Sequence, residues 1–310
     1  MKYDKMLMLL TLVAAGLAAG CSDDEDPLKD WTGPSKPGTE IKTPAEVGNR
    51  VVAHRGGSTE AGTRQFPDNS VAALNYAIGL GCYASECDIY LTKDDDVVVA
   101  HASAGCYINN LKPWEHTLAE LRAAGTLANG EQLPSLADFI DVVLEARLWL
   151  DVKNITIDGK STEEGREASA RACERACEII EEMGAQNFCE FIVTGNATKI
   201  SSSSPVTIWQ RSLAAAGAVG SNAGWMSFRN PADYISYGYP WANLSTENLY
   251  FEGKTVNKNG YSVQKFLDAG LKLSVYNADL DVDMDYYLAY KDKLYAICTN
   301  YPRKLLGKWN

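Results

Sequence analysis

The residues best suited to chemistry in this chain are His54 and His101, two of only three histidines. His54 follows the apolar run VVA and opens the segment HRGG, and His101 closes VVVAH. Between them lies SECDIYL, which carries Glu86 and Asp88 two residues apart. Imidazole titrates near neutrality, so two histidines can hold one proton between them at physiological pH. Carboxylates at i and i+2 of a strand point to the same face and can share a cation. Further on, LWLDVKN adds Asp151 and Lys153. Together these are the parts for metal-assisted acid–base chemistry.

The elements that must position these residues alternate along the chain. Strands are predicted at 50–54, 84–91, 97–101, 147–153, 188–195, 206–210, 224–228, 240–245, 272–277 and 294–300. Helical periodicity fills 69–81, 135–146, 162–184, 211–219, 260–270 and 283–292. Strands alternating with helices define a parallel α/β architecture. The length and repetition suit a TIM-type (β/α)8 barrel forming a single domain, in which chemistry gathers at the C-terminal strand ends. A doubly wound open sheet is the alternative, but no GxGxxG opens a helix after the first strand. Ten candidate strands exceed eight, so VVVAH is expected to pair locally after the second strand, and one of 206–210 or 224–228 to lie outside the main sheet. His54, the Glu86/Asp88 pair and the Asp151/Lys153 pair then sit at or near three strand ends, which argues for one site.

Composition narrows the partners. The 310 residues carry 40 acidic against 29 basic side chains, a formal charge of −11, which argues against nucleic acid or an anionic membrane as ligand. Residues 1–20 read as a signal peptide, with Lys2 and Lys5 ahead of an apolar stretch too short to span a bilayer. It ends at Ala18-Ala19-Gly20-Cys21, which resembles a bacterial lipoprotein signal and implies an envelope protein anchored in the membrane through lipidated Cys21. Residues 21–47, opening with SDDED, form a flexible acidic tether, and 48–310 the barrel. Setting Cys21 aside leaves an odd number of the eight cysteines and no CxxC pair, so zinc is not expected. KDDD at 93–96 lacks calcium-loop spacing and reads as a turn between strands. His116 reads as a surface residue at a helix start.

The ordered motifs resemble the glycerophosphodiester phosphodiesterase family across roughly 50–306. They are His54-Arg55-Gly56, Asp68-Asn69-Ser70, Glu86 and Asp88 with Thr92 and Asp94, His101, Asp151-Val152-Lys153 and Thr299-Asn300-Tyr301-Pro302. The resemblance implies a metal-dependent phosphodiesterase that hydrolyses glycerophosphodiesters to glycerol phosphate and an alcohol. It implies one divalent cation, Ca²⁺ or Mg²⁺, held by Glu86, Asp88 and Asp151, with His54 and His101 as general acid and base. Arg55 and Lys153 would clamp phosphate oxygens. Attack by water and attack through a cyclic phosphate both remain open, as do a phospholipase-like activity on a lipid headgroup and a non-catalytic phosphoester-binding lipoprotein. The chain departs from the family pattern at four positions. Asp151 stands where Glu is usual, Ala102 and Asn300 replace aspartates, and Asp68 replaces Glu.

Overall fold

The computed structural model describes residues 40, 42–101, 108–142, 146–153, 155–158, 160, 162–194, 218–221, 230–236, 241–252 and 261–309. Eight parallel strands form its centre: β1 (Val51–Ala53), β2 (Ala84–Leu91), β3 (Arg147–Val152), β4 (Cys189–Thr194), β5 (Ala218–Ser221), β6 (Trp241–Ser245), β7 (Lys272–Tyr276) and β8 (Ala296–Thr299). Each pairs with the next, and β8 returns to β1 in the register Val51↔Ile297 to Ala53↔Thr299, which closes the barrel. The strand Val97–Val99 pairs antiparallel with β2, as expected of VVVAH.

The described helices are α1 (Val71–Gly79), α2 (Leu118–Ala123), α3 (Leu136–Val142), α4 (Glu163–Glu182), α5 (Pro231–Ser236), α6 (Val263–Asp268), α7 (Asp281–Leu288) and α8 (Pro302–Trp309). Alternation along the strands sorts the core into two layers. Cys87, Ile89, Leu148, Leu150 and Val275 face outward against helical residues such as Leu74, Phe139, Ile179, Phe266 and Leu305. Full burial of one such large apolar side chain is worth roughly 1.5–3 kcal/mol. The intervening positions Ala84, Trp149, Ile192, Trp241, Ala296 and Cys298 fill the interior. At the N-terminal end the plug is polar as well as aromatic, since Trp149 Nε1 donates to Glu190 over 2.5 Å and Tyr295 Oη donates to the same carboxylate.

One predicted element is corrected. Residues 218–221, of which 218 and 219 fall in the helix predicted over 211–219, form β5, paired with β4 on one side and β6 on the other. The sequence AVGS has little β preference of its own, and closure between two neighbours decides its conformation. The predicted strands at 206–210 and 224–228 lie outside the described residues, as do residues 1–20 and Cys21 of the targeting segment.

Residues 42–47 run beneath the barrel. Lys42 N–H donates to Gly184 O over 2.8 Å, Pro44 is buried, and Glu46 lies 3.6 Å from Arg147 at the start of β3. The chain therefore reaches the barrel at the N-terminal ends of its strands.

Candidate active site

The opposite end of the barrel gathers the titratable residues singled out from the sequence. His54 directly follows β1, Glu86 and Asp88 lie on β2, and Asp151 is the penultimate residue of β3, with Lys153 just beyond it. In the parallel pairing of β2 and β3, Asp88 stands opposite Asp151. The ligand atoms of Glu86, Asp88 and Asp151 all lie within 4.8 Å of one another. The shorter side chain at 151 therefore still reaches the group. His54 Nε2 is 3.9 Å from Glu86 Oε2, and His101 Nε2 is 4.0 Å from Asp88 Oδ1.

Local backbone geometry sets these side chains. Arg55 is left-handed at φ 52°, and its N–H donates to Glu86 Oε2 over 2.9 Å. Gly56 follows at φ 87°, and a Cβ there would sit 2.4 Å from the Ala73 Cβ. Only glycine lets the loop after β1 lie this close to α1. That helix is capped by Ser70, whose Oγ accepts from Ala73 N over 3.1 Å, a contact worth about 1 kcal/mol. Asn69, left-handed at φ 59°, donates from Nδ2 to Asp88 Oδ2 over 2.9 Å and accepts from the Asp88 N–H over 3.1 Å. The DNS segment thus locks the rotamer of Asp88.

Arg55 and Lys153 lie beside the acids. Arg55 Nε is 2.9 Å from Asp88 Oδ2, and Lys153 Nζ is 2.9 Å from both Asp88 Oδ1 and Asp151 Oδ2. Burial alone would raise Asp88, but Lys153, Arg55 and His101 outweigh it and hold the carboxyl below the usual range. Burial opposes the charge on Lys153, while Asp151 and Asp88 raise its pKa well above normal. Glu86 behaves differently: burial, and then the Asp88 and Asp151 charges, push its carboxyl well above the carboxylate range. Burial, with Arg55 adding to it, lowers His54 to about 4. Burial also lowers His101 to about 4, against the pull of Asp88.

With all three ionised, three carboxylates against two fixed cations would leave one excess negative charge on a side chain that is 3% exposed, which is why Glu86 is pushed toward its protonated form. Isolated buried charge costs several kcal/mol. An all-oxygen donor set with excess negative charge matches the preference of a hard divalent cation, so these residues fit such an ion.

The segment after β8 shows how one departure is accommodated. Asn300 Oδ1 lies 2.8 Å from His54 Nδ1, and its Nδ2 donates to Asp279 Oδ2 over 2.7 Å. Asp279 Oδ1 also accepts from Asn300 N over 2.8 Å and from Thr299 Oγ1 over 2.9 Å. Asp279, just beyond β7, was not singled out from the sequence. Asp68 lies 3.0 Å from Arg64 Nη1 and 3.7 Å from Arg55 Nη1. Ala102 lies outside the described residues. Thr92 and Asp94 do not join the cluster; Thr92 Oγ1 donates to Asp94 Oδ1 over 2.6 Å and accepts from Asp96 N, which builds the turn expected for KDDD.

The class follows from this frame: a closed (β/α)8 barrel with buried carboxylates and two histidines at the C-terminal ends of its strands. The chain belongs to the glycerophosphoryl diester phosphodiesterase family, whose model matches residues 54–304. A glycerophosphodiester phosphodiesterase of Caldanaerobacter subterraneus is 31% identical over 101 residues, a stretch covering 30% of this chain and 40% of that relative. A crystal structure of a glycerophosphodiester phosphodiesterase from Parabacteroides distasonis is similar with a TM-score of 0.64 and 20% identity, over 86% of this chain and 98% of that one. A phosphodiesterase from Oleispira antarctica, solved in complex with the product sn-glycerol-3-phosphate, gives a TM-score of 0.57 and 18% identity over 83% and 95% of the two chains. At these identities the structural likeness is one of fold.

Proposed function

We propose that this chain hydrolyses glycerophosphodiesters to glycerol phosphate and an alcohol, with the histidines at the barrel mouth exchanging protons with the substrate. The observation that carries this reading is the placement of His54 and His101 beside Glu86 and Asp88, at 3.9 and 4.0 Å. Glu86, Asp88 and Asp151 would hold Ca²⁺ or Mg²⁺. The bound ion would neutralise charge that builds on the nonbridging phosphate oxygens. Arg55 presents a planar guanidinium and Lys153 a compact ammonium to the same oxygens. One histidine removes the proton of the attacking oxygen, and the other protonates the departing alkoxide.

Membership of the family supports the reaction class, and the Oleispira antarctica complex with sn-glycerol-3-phosphate supports the product. The N-terminal sequence supports anchoring through lipidated Cys21 in the bacterial envelope. The tether then joins the barrel at the end opposite the histidines.

The test is release of glycerol phosphate from a panel of glycerophosphodiesters by the chain lacking residues 1–21. It would be run in EDTA and after addition of Ca²⁺ or Mg²⁺. Metal-dependent release is expected. A folded, metal-binding protein that turns over no panel member would refute the substrate assignment, and turnover of intact phospholipids would replace it.

A further inference from the structure

We propose that Asp279, acting through Asn300, is a positioning residue that holds the His54 ring as its Nδ1–H tautomer, with Nε2 as the proton-accepting atom. The inference rests on the acid–base reading of His54 given above. It begins with strand register. Ala53 of β1 pairs with Thr299 of β8, so the next residue on each strand, His54 and Asn300, stand side by side at the mouth. The amide of Asn300 has two different ends, and only its NH₂ end can donate. That end faces Asp279 Oδ2 at 2.7 Å, and a carboxylate accepts only. The carbonyl end is therefore the one at 2.8 Å from His54 Nδ1. A carbonyl oxygen cannot donate, so Nδ1 must carry the hydrogen. A neutral imidazole has one N–H, which leaves the lone pair on Nε2, the atom on the Glu86 side of the ring.

Asp279 is itself fixed. Its Oδ1 takes the Asn300 N–H at 2.8 Å and the Thr299 hydroxyl at 2.9 Å, and that hydroxyl oxygen in turn accepts from Tyr301 N at 3.1 Å. Two donors from one turn pin a single carboxylate, and its remaining acceptor capacity orients one amide. Asp279 need not touch substrate to act. If its charge is removed in Asp279→Asn, one acceptor becomes a donor. The Asn300 amide is then released to turn, present its NH₂ to Nδ1 and force the proton onto Nε2. Exchanging the two residues, Asp279→Asn together with Asn300→Asp, restores a pure acceptor opposite Nδ1 and a donor behind it.

The experiment is a long-range ¹H–¹⁵N spectrum of the imidazoles at pH 8, in the wild-type chain, Asp279→Asn and the exchanged pair. His54→Gln identifies the resonances, and three histidines in the chain keep the spectrum simple. The wild type and the exchanged pair should show the Nδ1–H pattern, and Asp279→Asn should lose it. On a glycerophosphodiester, Asp279→Asn should lower kcat at least about tenfold with KM within about twofold of wild type, and the exchange should recover most of the loss. An Nε2–H pattern in the wild type, or an unchanged Nδ1–H pattern in folded Asp279→Asn, would overturn the assignment. If Asp279→Asn fails to fold, the wild-type and exchanged-pair spectra decide. Absence of turnover in the wild type would overturn the hydrolase reading and leave the tautomer measurement standing.

Discussion

Glu86→Gln separates the electrostatic cost of the acidic cluster from its use. Glutamine keeps the length of the side chain and an oxygen to accept the Arg55 N–H now at 2.9 Å, but it removes the charge. An ionised Glu86, its ligand atom within 4.8 Å of a second carboxylate's, would be repelled by about 3–4 kcal/mol or more at an effective dielectric constant near 20, so the metal-free fold must hold a proton there that glutamine does not need. Lys153 and Arg55 offset part of this. The metal-free variant should therefore be more stable than metal-free wild type by about 1–3 kcal/mol. For a chain of this size that raises Tm by roughly 2–10 °C. Calcium or magnesium at about a hundred times Kd should stabilise the wild type by about 2.7 kcal/mol, and the variant, short of one anionic ligand, by much less. Thermal melts of both proteins in EDTA and in saturating ion should thus change order. A variant less stable than wild type in EDTA, or one that gains as much from the ion, would refute the reasoning.

The pH dependence of stability carries a definite sign. His54 and His101 are both lowered to about 4, so the unfolded chain takes up protons that the folded one refuses. Their contribution is complete above about pH 6.5 and is lost as pH falls through 4. At pH 4.5 each costs about 2–3 kcal/mol, so in EDTA His101→Gln should lose that much less between pH 7.5 and 4.5 in urea unfolding; equal losses would contradict it. Asn69→Ala removes both bonds that orient Asp88 and should weaken ion binding roughly 10–100-fold by calorimetry, whereas an unchanged Kd would exclude the role. Gly56→Ala places a methyl 2.4 Å from the Ala73 Cβ at φ 87° and should cost about 2–4 kcal/mol, so a melt indistinguishable from wild type would show that the loop yields.

What the sequence reveals is what local pattern controls. ECDI at 86–89 and LDV at 150–152 alternate polar with apolar, so both the outward Ile89, Leu150 and Val152 and the inward Glu86, Asp88 and Asp151 follow from period two. AVGS at 218–221 has no such signature, and the two strands beside it supply its hydrogen bonds. Asp279 was illegible for another reason. It opens a run with Asp281, Asp283 and Asp285, and composition does not separate a half-buried acceptor from a surface one. Asp281 and Asp285 pair with Lys304 and Lys308 on the helical surface, while Asp279 is drawn to Asn300 by the adjacency of β7 and β8. Asp151 is one methylene shorter than the usual Glu, yet cross-strand register with Asp88 brings it within reach.

Charge balance ties the acidic chain to an anionic substrate. A formal charge of −11 repels a phosphodiester at long range, and the metal-free mouth, with Glu86 pushed toward its protonated form and Asp88 and Asp151 facing Arg55 and Lys153, does not offset it. A divalent ion among those carboxylates would displace the Glu86 proton and turn the local balance to a single positive charge, the complement of a phosphodiester monoanion. Repulsion from surface charges is largely screened beyond about 8 Å at physiological ionic strength, whereas charges inside a partly buried mouth are not. The proposed ion would therefore decide the sign of the field where an anionic substrate would sit. The same balance explains the amide at 300. A carboxylate against His54 would add another charge beside Glu86, whereas Asn300 orients the ring through a neutral carbonyl and leaves the negative charge one residue further out, on Asp279.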